Sequence, residues 1–401
     1  MSLLTGLFNV LALLYVLRGV QLAVSIGRRW DKVVANPLTR AKQDLAEQAA
    51  FFISVPPSVL LHELFHALAI WAFGGAVIEF GYRVFWGYVV PAGQFTQAQE
   101  WFISLAGTLG SLLFGVGVWA LLHNSPSGPL RYYGLRTLRF QIYFSLVYYP
   151  IFSLFLPIGD WRVIYDFGAT PVLSLMAAVT HASVLAWFWR ADRQGRFEMV
   201  AFGSEAEERR FEALAAAAEV GDTDARLRQV EAMRRGGAPH QAQSALESYL
   251  KTNPDSATAH LMLAMTKADA RGATGKSTVE HAEAVLALNP DPTQAALAHQ
   301  ILAIHALEAG DGVRAEAEAT LGLGDDDGRA LAAPLRAELF ALRGRALRRQ
   351  GRLDEAEGEA RQALALAQAT GDTMAAGRYA EELDILAKHR EQVGRNVPER
   401  V

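Results

Sequence analysis

Residues 51–73 are almost wholly apolar, yet they contain His62, Glu63 and His66 in the run Leu60-Leu61-His62-Glu63-Leu64-Phe65-His66-Ala67. Ionisable side chains in such a stretch are expensive where water is excluded, so each needs a partner. On a helix, positions four apart share a face, and His62 and His66 can therefore offer both imidazoles to one metal ion. Glu63 follows the first histidine directly, where it can take a proton from water beside that ion. The alternative is a pair of core histidines satisfied by neighbouring groups.

A catalytic zinc usually takes three protein ligands and keeps one position open, so a distant carboxylate is needed. Glu79, Asp160 and Asp166 are the candidates at membrane depth or its edge. Asp160 is the best of them. It ends an apolar run directly after Pro157-Ile158-Gly159, where a turn can aim a carboxylate back into a helical bundle. Asp166, six residues on, would face another direction on a helix and is the reserve; its other reading is an interface aspartate near Arg162. Glu79 lies on a hairpin facing solvent. His181, inside an apolar run, reads as a hydrogen-bonded packing residue.

The 401 residues divide into two unlike halves. All eight tryptophans lie between Trp30 and Trp189; beyond Arg190, Ala, Glu, Arg and Gly take over. This pattern predicts an all-α membrane bundle followed by a water-soluble helical half. Five apolar runs are long enough to span: Leu3 to Ile26, the histidine-bearing run opened by Pro56-Pro57, Trp101 to Leu122, Phe140 to Leu156, and Ala169 to Trp189. Between the second and third, Ala76 to Phe95 is rich in β-branched and aromatic residues broken by Gly81, Gly87 and Pro91, which predicts a short β-hairpin. The third run carries Gly107, Gly110, Ser111, Gly115 and Gly117, small residues that let helix backbones approach closely. The expected domains are a membrane domain over residues 1–195, a repeat domain over 205–392 and a tail over 393–401.

Composition excludes several functions. A net charge of −4 with no dominant basic cluster argues against nucleic-acid binding. The absence of cysteine removes disulfides, thiolate catalysis and Cys-ligated zinc. The N-terminus has no basic leader and no small-residue cleavage site, so it reads as a retained helix. With five spans, one side of the bilayer would hold Arg28, Arg29, Lys32, Arg40, Lys42, Arg131, Arg136, Arg139, Arg190, Arg193 and Arg196, and the other Arg83 and Arg162. That asymmetry puts the C-terminal half in the cytoplasm of a multi-pass protein of the inner or cell membrane.

In the soluble half, four stretches resemble one another, with Ala242, Thr278, Ala315 and Ala356 in equivalent places at a spacing of roughly 36 to 41 residues. Helices expected over Ala257–Ala270, Gln294–Ala309 and Pro334–Gln350 alternate with them. Paired helices of this period, with small residues on their packing faces, read as a tetratricopeptide-like solenoid whose concave face takes a protein or peptide partner. The other reading is a generic alanine-rich bundle. His240, His260, His281, His299, His305 and His389 show no ligand spacing and read as surface or packing residues.

Three segments of the first half resemble the site-2 protease family of intramembrane zinc metalloproteases: HELFHALAIWAFGG from His62, LAGTLGSLLFG from Leu105, and LPIGD ending at Asp160. The order and spacing match over about residues 50 to 170. Thr108 and Ser111 stand where that family often has proline and asparagine, and Trp161 follows Asp160 where it has glycine. The resemblance implies Zn²⁺ held by His62, His66 and Asp160, Glu63 as catalytic base, and membrane-protein substrates cut within or beside the bilayer. It also implies a zinc helix running opposite to the orientation that the charges favour. The alternative function is an inactive membrane-anchored repeat scaffold with a structural or sensory metal site.

Overall fold

The computed structural model describes residues 3–84, 86–155, 159–271, 274–325 and 329–395. The chain is mostly helical, with one two-stranded sheet, and it divides into two compact units: Met1–Ala225 with Arg235–Ala238, and Arg226–Arg234 with Pro239–Val401.

The first unit begins with α1 (Leu3–Arg28) and a short α2 (Trp30–Val34), followed by α3 (Arg40–Phe52). Arg18, the charge within the first apolar run, donates to Gln21 and to Gln48 on α3, so it faces a neighbouring helix. The histidine-bearing helix α4 spans Val55–Ala72. Pro56 and Pro57 occupy its first turn, where the missing N–H groups would have had no helical acceptor. Gly74, at φ +80°, ends it in the left-handed conformation that glycine adopts without strain.

The hairpin follows as expected: β1 (Ala76–Tyr82) pairs antiparallel with β2 (Gly87–Ala92), Ala76 opposite Ala92 and Tyr82 opposite Gly87, with an irregularity between Val77 and Glu79. Residue 85 of the expected hairpin lies outside the described residues. Next comes α5 (Gln97–Leu122), begun by a capping box in which Thr96 and Gln99 satisfy each other's backbone N–H groups. α6 (Gly128–Tyr143) passes through a π turn, Phe144–Tyr148, into α7 (Tyr149–Phe155). α8 (Asp160–Ile164) is a single short turn, and α9 (Pro171–Arg193) closes the apolar part.

Among the described residues, four helical stretches are long and apolar enough to cross a membrane: Val10–Arg28, Arg40–Ala72 (through α3 and α4), Gln97–Leu122 and Pro171–Arg193. That is compatible with a membrane protein. The expected fourth run, Phe140 to Leu156, is not among them. Gln141, Tyr143, Tyr148, Tyr149 and Pro150 dilute its apolar character, and a π turn interrupts it. Residues 156–158 of the LPIGD segment lie outside the described residues.

Two features hold α4 in place. Its polar face meets α6 through Ser54 with Tyr133 (2.7 Å) and Thr137 (3.2 Å), and through Ser58, which donates to Gln141 (2.7 Å). Interhelical hydrogen bonds of this kind in a membrane contribute on the order of 0.6 kcal/mol each. The same side of the helix, one to two turns further on at Leu61, His62, Phe65 and His66, meets the glycine face of α5. A core of Trp101, Ile142, Leu146, Trp161, Ile164 and Phe188 then ties α5, α8 and α9 together.

The helices α10 (Glu205–Glu219) and α11 (Thr223–Arg235) lead to the second unit, which continues through α12 (Pro239–Thr252), α13 (Ala257–Arg271), α14 (Lys276–Ala287), α15 (Pro292–Glu308), α16 (Gly312–Leu323), α17 (Ala333–Arg349), α18 (Leu353–Ala369) and α19 (Thr373–Arg395). From α12 on, each helix packs on the next, and α15 also meets both α13 and α17. Ala242, Thr278, Ala315 and Ala356, the four positions in equivalent places in the sequence, are all fully buried. Small side chains there let successive helices approach closely. Residues 396–401 of the expected tail lie outside the described residues.

A polar seam between α13 and α14 has a pH consequence. His260 Nε2 donates to the Pro254 carbonyl (2.9 Å), which leaves its Nδ1 to accept from His281 Nδ1 (3.0 Å). His281 Nε2 then accepts from Lys267 (3.4 Å), whose ammonium also donates to Ser277 (2.8 Å) and pairs with Glu247 (3.4 Å). This wiring needs a neutral His281. Burial first, then the Lys267 charge and His260, lower its pKa from 6.5 to about 4, against the weaker pull of Glu247 and Glu280. The unfolded chain therefore binds a proton at His281 that the folded one refuses between these two values, and stability falls as pH drops from about 6.5 toward 4. Hydrogen-exchange protection over residues 257–287 of the full chain, corrected for the pH dependence of intrinsic amide exchange, should fall as pH drops through that window, and His281→Gln should flatten the dependence.

Candidate metal centre

α4 places His62 and His66 one turn apart, with ring centroids 4.7 Å from each other. His66 Nδ1 lies 2.7 Å from the Ile103 carbonyl of α5. A carbonyl only accepts, so Nδ1 carries the proton and Nε2 presents its lone pair to the site. His62 Nδ1 lies 3.2 Å from Ser111 Oγ, also on α5, an arrangement that turns its Nε2 the same way. Both Nε2 atoms converge on one carboxylate oxygen, Asp160 Oδ2, at 3.0 Å for His62 and 3.3 Å for His66.

Asp160 reaches this point by a local device. Gly159, at φ +112°, turns the chain in a conformation other residues rarely adopt, and α8 starts at Asp160 itself. Trp101 of α5 donates to the Ile164 carbonyl (3.0 Å), and Trp161 and Ile164 are buried in the core, so α8 is anchored to the helix that backs the histidines. Asp160 thus starts a helix where the sequence reading had it ending one. The turn still aims the carboxylate into the bundle.

Two glycines shape the space around these donors. A Cβ on Gly107 would lie 2.3 Å from His66 Nε2 and 2.7 Å from His62 Nε2. A Cβ on Gly87, at the start of β2, would lie 2.5 Å from Glu63 Cγ and 2.7 Å from Glu63 Oε1. Gly110 is equally necessary to the approach of α5, since its Cβ would meet the Leu61 carbonyl at 2.8 Å. Of the small residues expected to let helices approach, Gly107, Gly110 and Ser111 lie against the histidine helix, Gly115 lies against Gln141 of α6, and a Cβ on Gly117 would meet nothing within 4 Å. Glu63 is buried, covered by the hairpin.

Among the described residues, His62, His66 and Asp160 form a group whose ligand atoms all lie within 4.8 Å of one another, close enough to hold a metal ion. The donors fit that role. They are two imidazole nitrogens with fixed outward bonds and one carboxylate oxygen, beside a cradle that a side chain at 107 would fill. Two nitrogens and an oxygen suit zinc and other first-row divalent ions.

The other candidates lie elsewhere. Asp166 is exposed, and its Oδ1 accepts from the backbone N–H of Gly168 (3.0 Å) and Ala169 (2.9 Å), a local turn. Glu79 accepts from Tyr88 across the hairpin. His181 donates from Nε2 to the Leu146 carbonyl (2.6 Å) and bonds Tyr165 through Nδ1, a packing arrangement between helices. In the second unit His299 pairs with Glu318 (2.9 Å) and His305 with Thr274 (2.9 Å). Sequence reading missed Tyr149, whose hydroxyl bonds Asp160, because a tyrosine within an aromatic run has no spacing signal. It also gave Gly87 only a turn-breaking role. Compared with protein-family models, curated proteins and solved structures, the chain matches none.

Gly107→Ala should weaken metal binding by at least about tenfold, on the scale of changes that misplace a ligand. Gly117→Ala, where nothing lies within 4 Å of the added atom, should leave it unchanged. Metal content of the two purified variants, measured side by side, checks this.

Proposed function

We propose that the chain is a zinc-dependent endopeptidase of the membrane, cutting peptide bonds of membrane-protein substrates within or beside the bilayer. The observation that carries this is the convergence of His62, His66 and Asp160 on one point with a buried glutamate, Glu63, next to the first ligand. His62, His66 and Asp160 would hold the ion. When bound, zinc supplies Lewis-acid polarisation of a scissile carbonyl and lowers the pKa of water. Glu63 accepts the proton of the attacking water at its carboxylate and passes it to the leaving amine. Ser111 and the Ile103 carbonyl keep both imidazoles oriented. The hairpin over Glu63 excludes bulk water, and its unpaired strand edges offer backbone partners to a substrate that has locally unwound.

The second unit is proposed to be a tetratricopeptide-like array that recruits or senses a protein or peptide partner on its concave face. The support is the full burial of Ala242, Thr278, Ala315 and Ala356 at repeat-like spacing, and the neighbour-on-neighbour packing of its helices. The competing reading, a membrane-anchored scaffold with a structural metal site, has no need of a carboxylate buried against the ligands. Glu63→Gln separates the two. It should retain bound metal while proteolysis of a membrane-protein substrate falls about 10²- to 10⁴-fold, the usual contribution of a positioned base. Undiminished function in that variant would favour the scaffold.

A further inference from the structure

We infer that Tyr149 is a positioning residue that holds Asp160 as a one-oxygen ligand and so sets which metal the site prefers. This rests on reading His62, His66 and Asp160 as a metal site. The Tyr149 hydroxyl donates to Asp160 Oδ2 (2.9 Å) and accepts from the Asp160 backbone N–H (3.2 Å). Its one proton is thus committed to the same oxygen that both imidazole nitrogens approach. The amide bond to the hydroxyl ties the turn at Gly159 to the ring. With one lone pair of Oδ2 held by Tyr149, the other is left for an ion. The carboxylate is also prevented from rotating to offer both oxygens.

The fold goes out of its way to put this ring here. In the π turn Phe144–Tyr148, the Tyr149 N–H bonds the Phe144 carbonyl five residues back. One residue inserted into a helix turns everything after it by about 100°. That rotation aims Tyr149 at Asp160, with its ring edge-on to His62 at 5.7 Å. The π turn is pinned by His181, which donates to the Leu146 carbonyl inside it and is itself held by Tyr165 and packed on the Trp161 ring at 4.6 Å. π turns of this kind are frequent at functional sites. An unconstrained carboxylate that can bind through two oxygens suits ions of higher coordination number, whereas a single-oxygen ligand suits four-coordinate zinc.

The test measures zinc and manganese affinities of the full chain in detergent, by chelator competition, for wild type, Tyr149→Phe and His66→Ala. Tyr149→Phe keeps the ring and its contact with His62. Zinc affinity should fall roughly 10- to 100-fold, the range for losing a group that orients a ligand. Manganese affinity should fall less, lowering the zinc-to-manganese preference. Unchanged zinc affinity would overturn the inference, and so would equal losses for both metals, which a merely loosened fold would give. Wild type and His66→Ala binding alike would instead remove the metal-site reading itself, and the role of Tyr149 with it.

Discussion

Two imidazoles and a carboxylate inside an apolar bundle have to satisfy one another, and much of the first unit is arranged around that requirement. His62 and His66 meet the same oxygen of Asp160, and each histidine has its remaining nitrogen engaged by α5. Without the α5 partners their rings would be free to turn away. The glycine face of α5 follows from the same requirement, because any side chain at 107 would occupy the point where the donors meet.

Packing and chemistry are therefore served by the same residues. Trp101 anchors α8 through a backbone carbonyl, and α8 in turn delivers Asp160. Gly110 lets α5 reach the Leu61 carbonyl, and that proximity puts Ser111 and Ile103 beside the histidines. Gly87 brings the hairpin onto Glu63, so the element that shields the proposed base is also the one with free strand edges beside it.

The histidine helix, the hairpin and the close approach of α5 at Gly107 and Gly110 were legible in the sequence because each has a local signal. These are, respectively, an i, i+4 spacing, a run of β-branched residues between glycines, and glycines within an apolar run. The composition shift near residue 190 does not mark the edge of a compact unit, since the first unit runs on to Ala225. Asp160 was legible as a carboxylate after a turn, and the buried alanines of the second unit from their recurrence. The fourth expected span, Phe140 to Leu156, is not among the described helices long and apolar enough to cross a membrane. Gln141, Pro150 and the tyrosines Tyr143, Tyr148 and Tyr149 lower its hydropathy, and one of those tyrosines, Tyr149, serves the site. Tyr149 and the Gly87 contact arise from pairing across the fold, between residues 11 and 24 apart in the chain, and no local pattern announces them.

The central claim is that one ion is shared by α4 and α8. Zinc stoichiometry of the detergent-purified full chain tests it most directly, for wild type, His66→Ala, Asp160→Ala and Asp166→Ala. The account predicts about one zinc per chain in wild type, by the single-site ligand set. Zinc should be lost in His66→Ala and Asp160→Ala and kept in Asp166→Ala. Zinc kept in Asp160→Ala, or no zinc in metal-replete wild type, would contradict it.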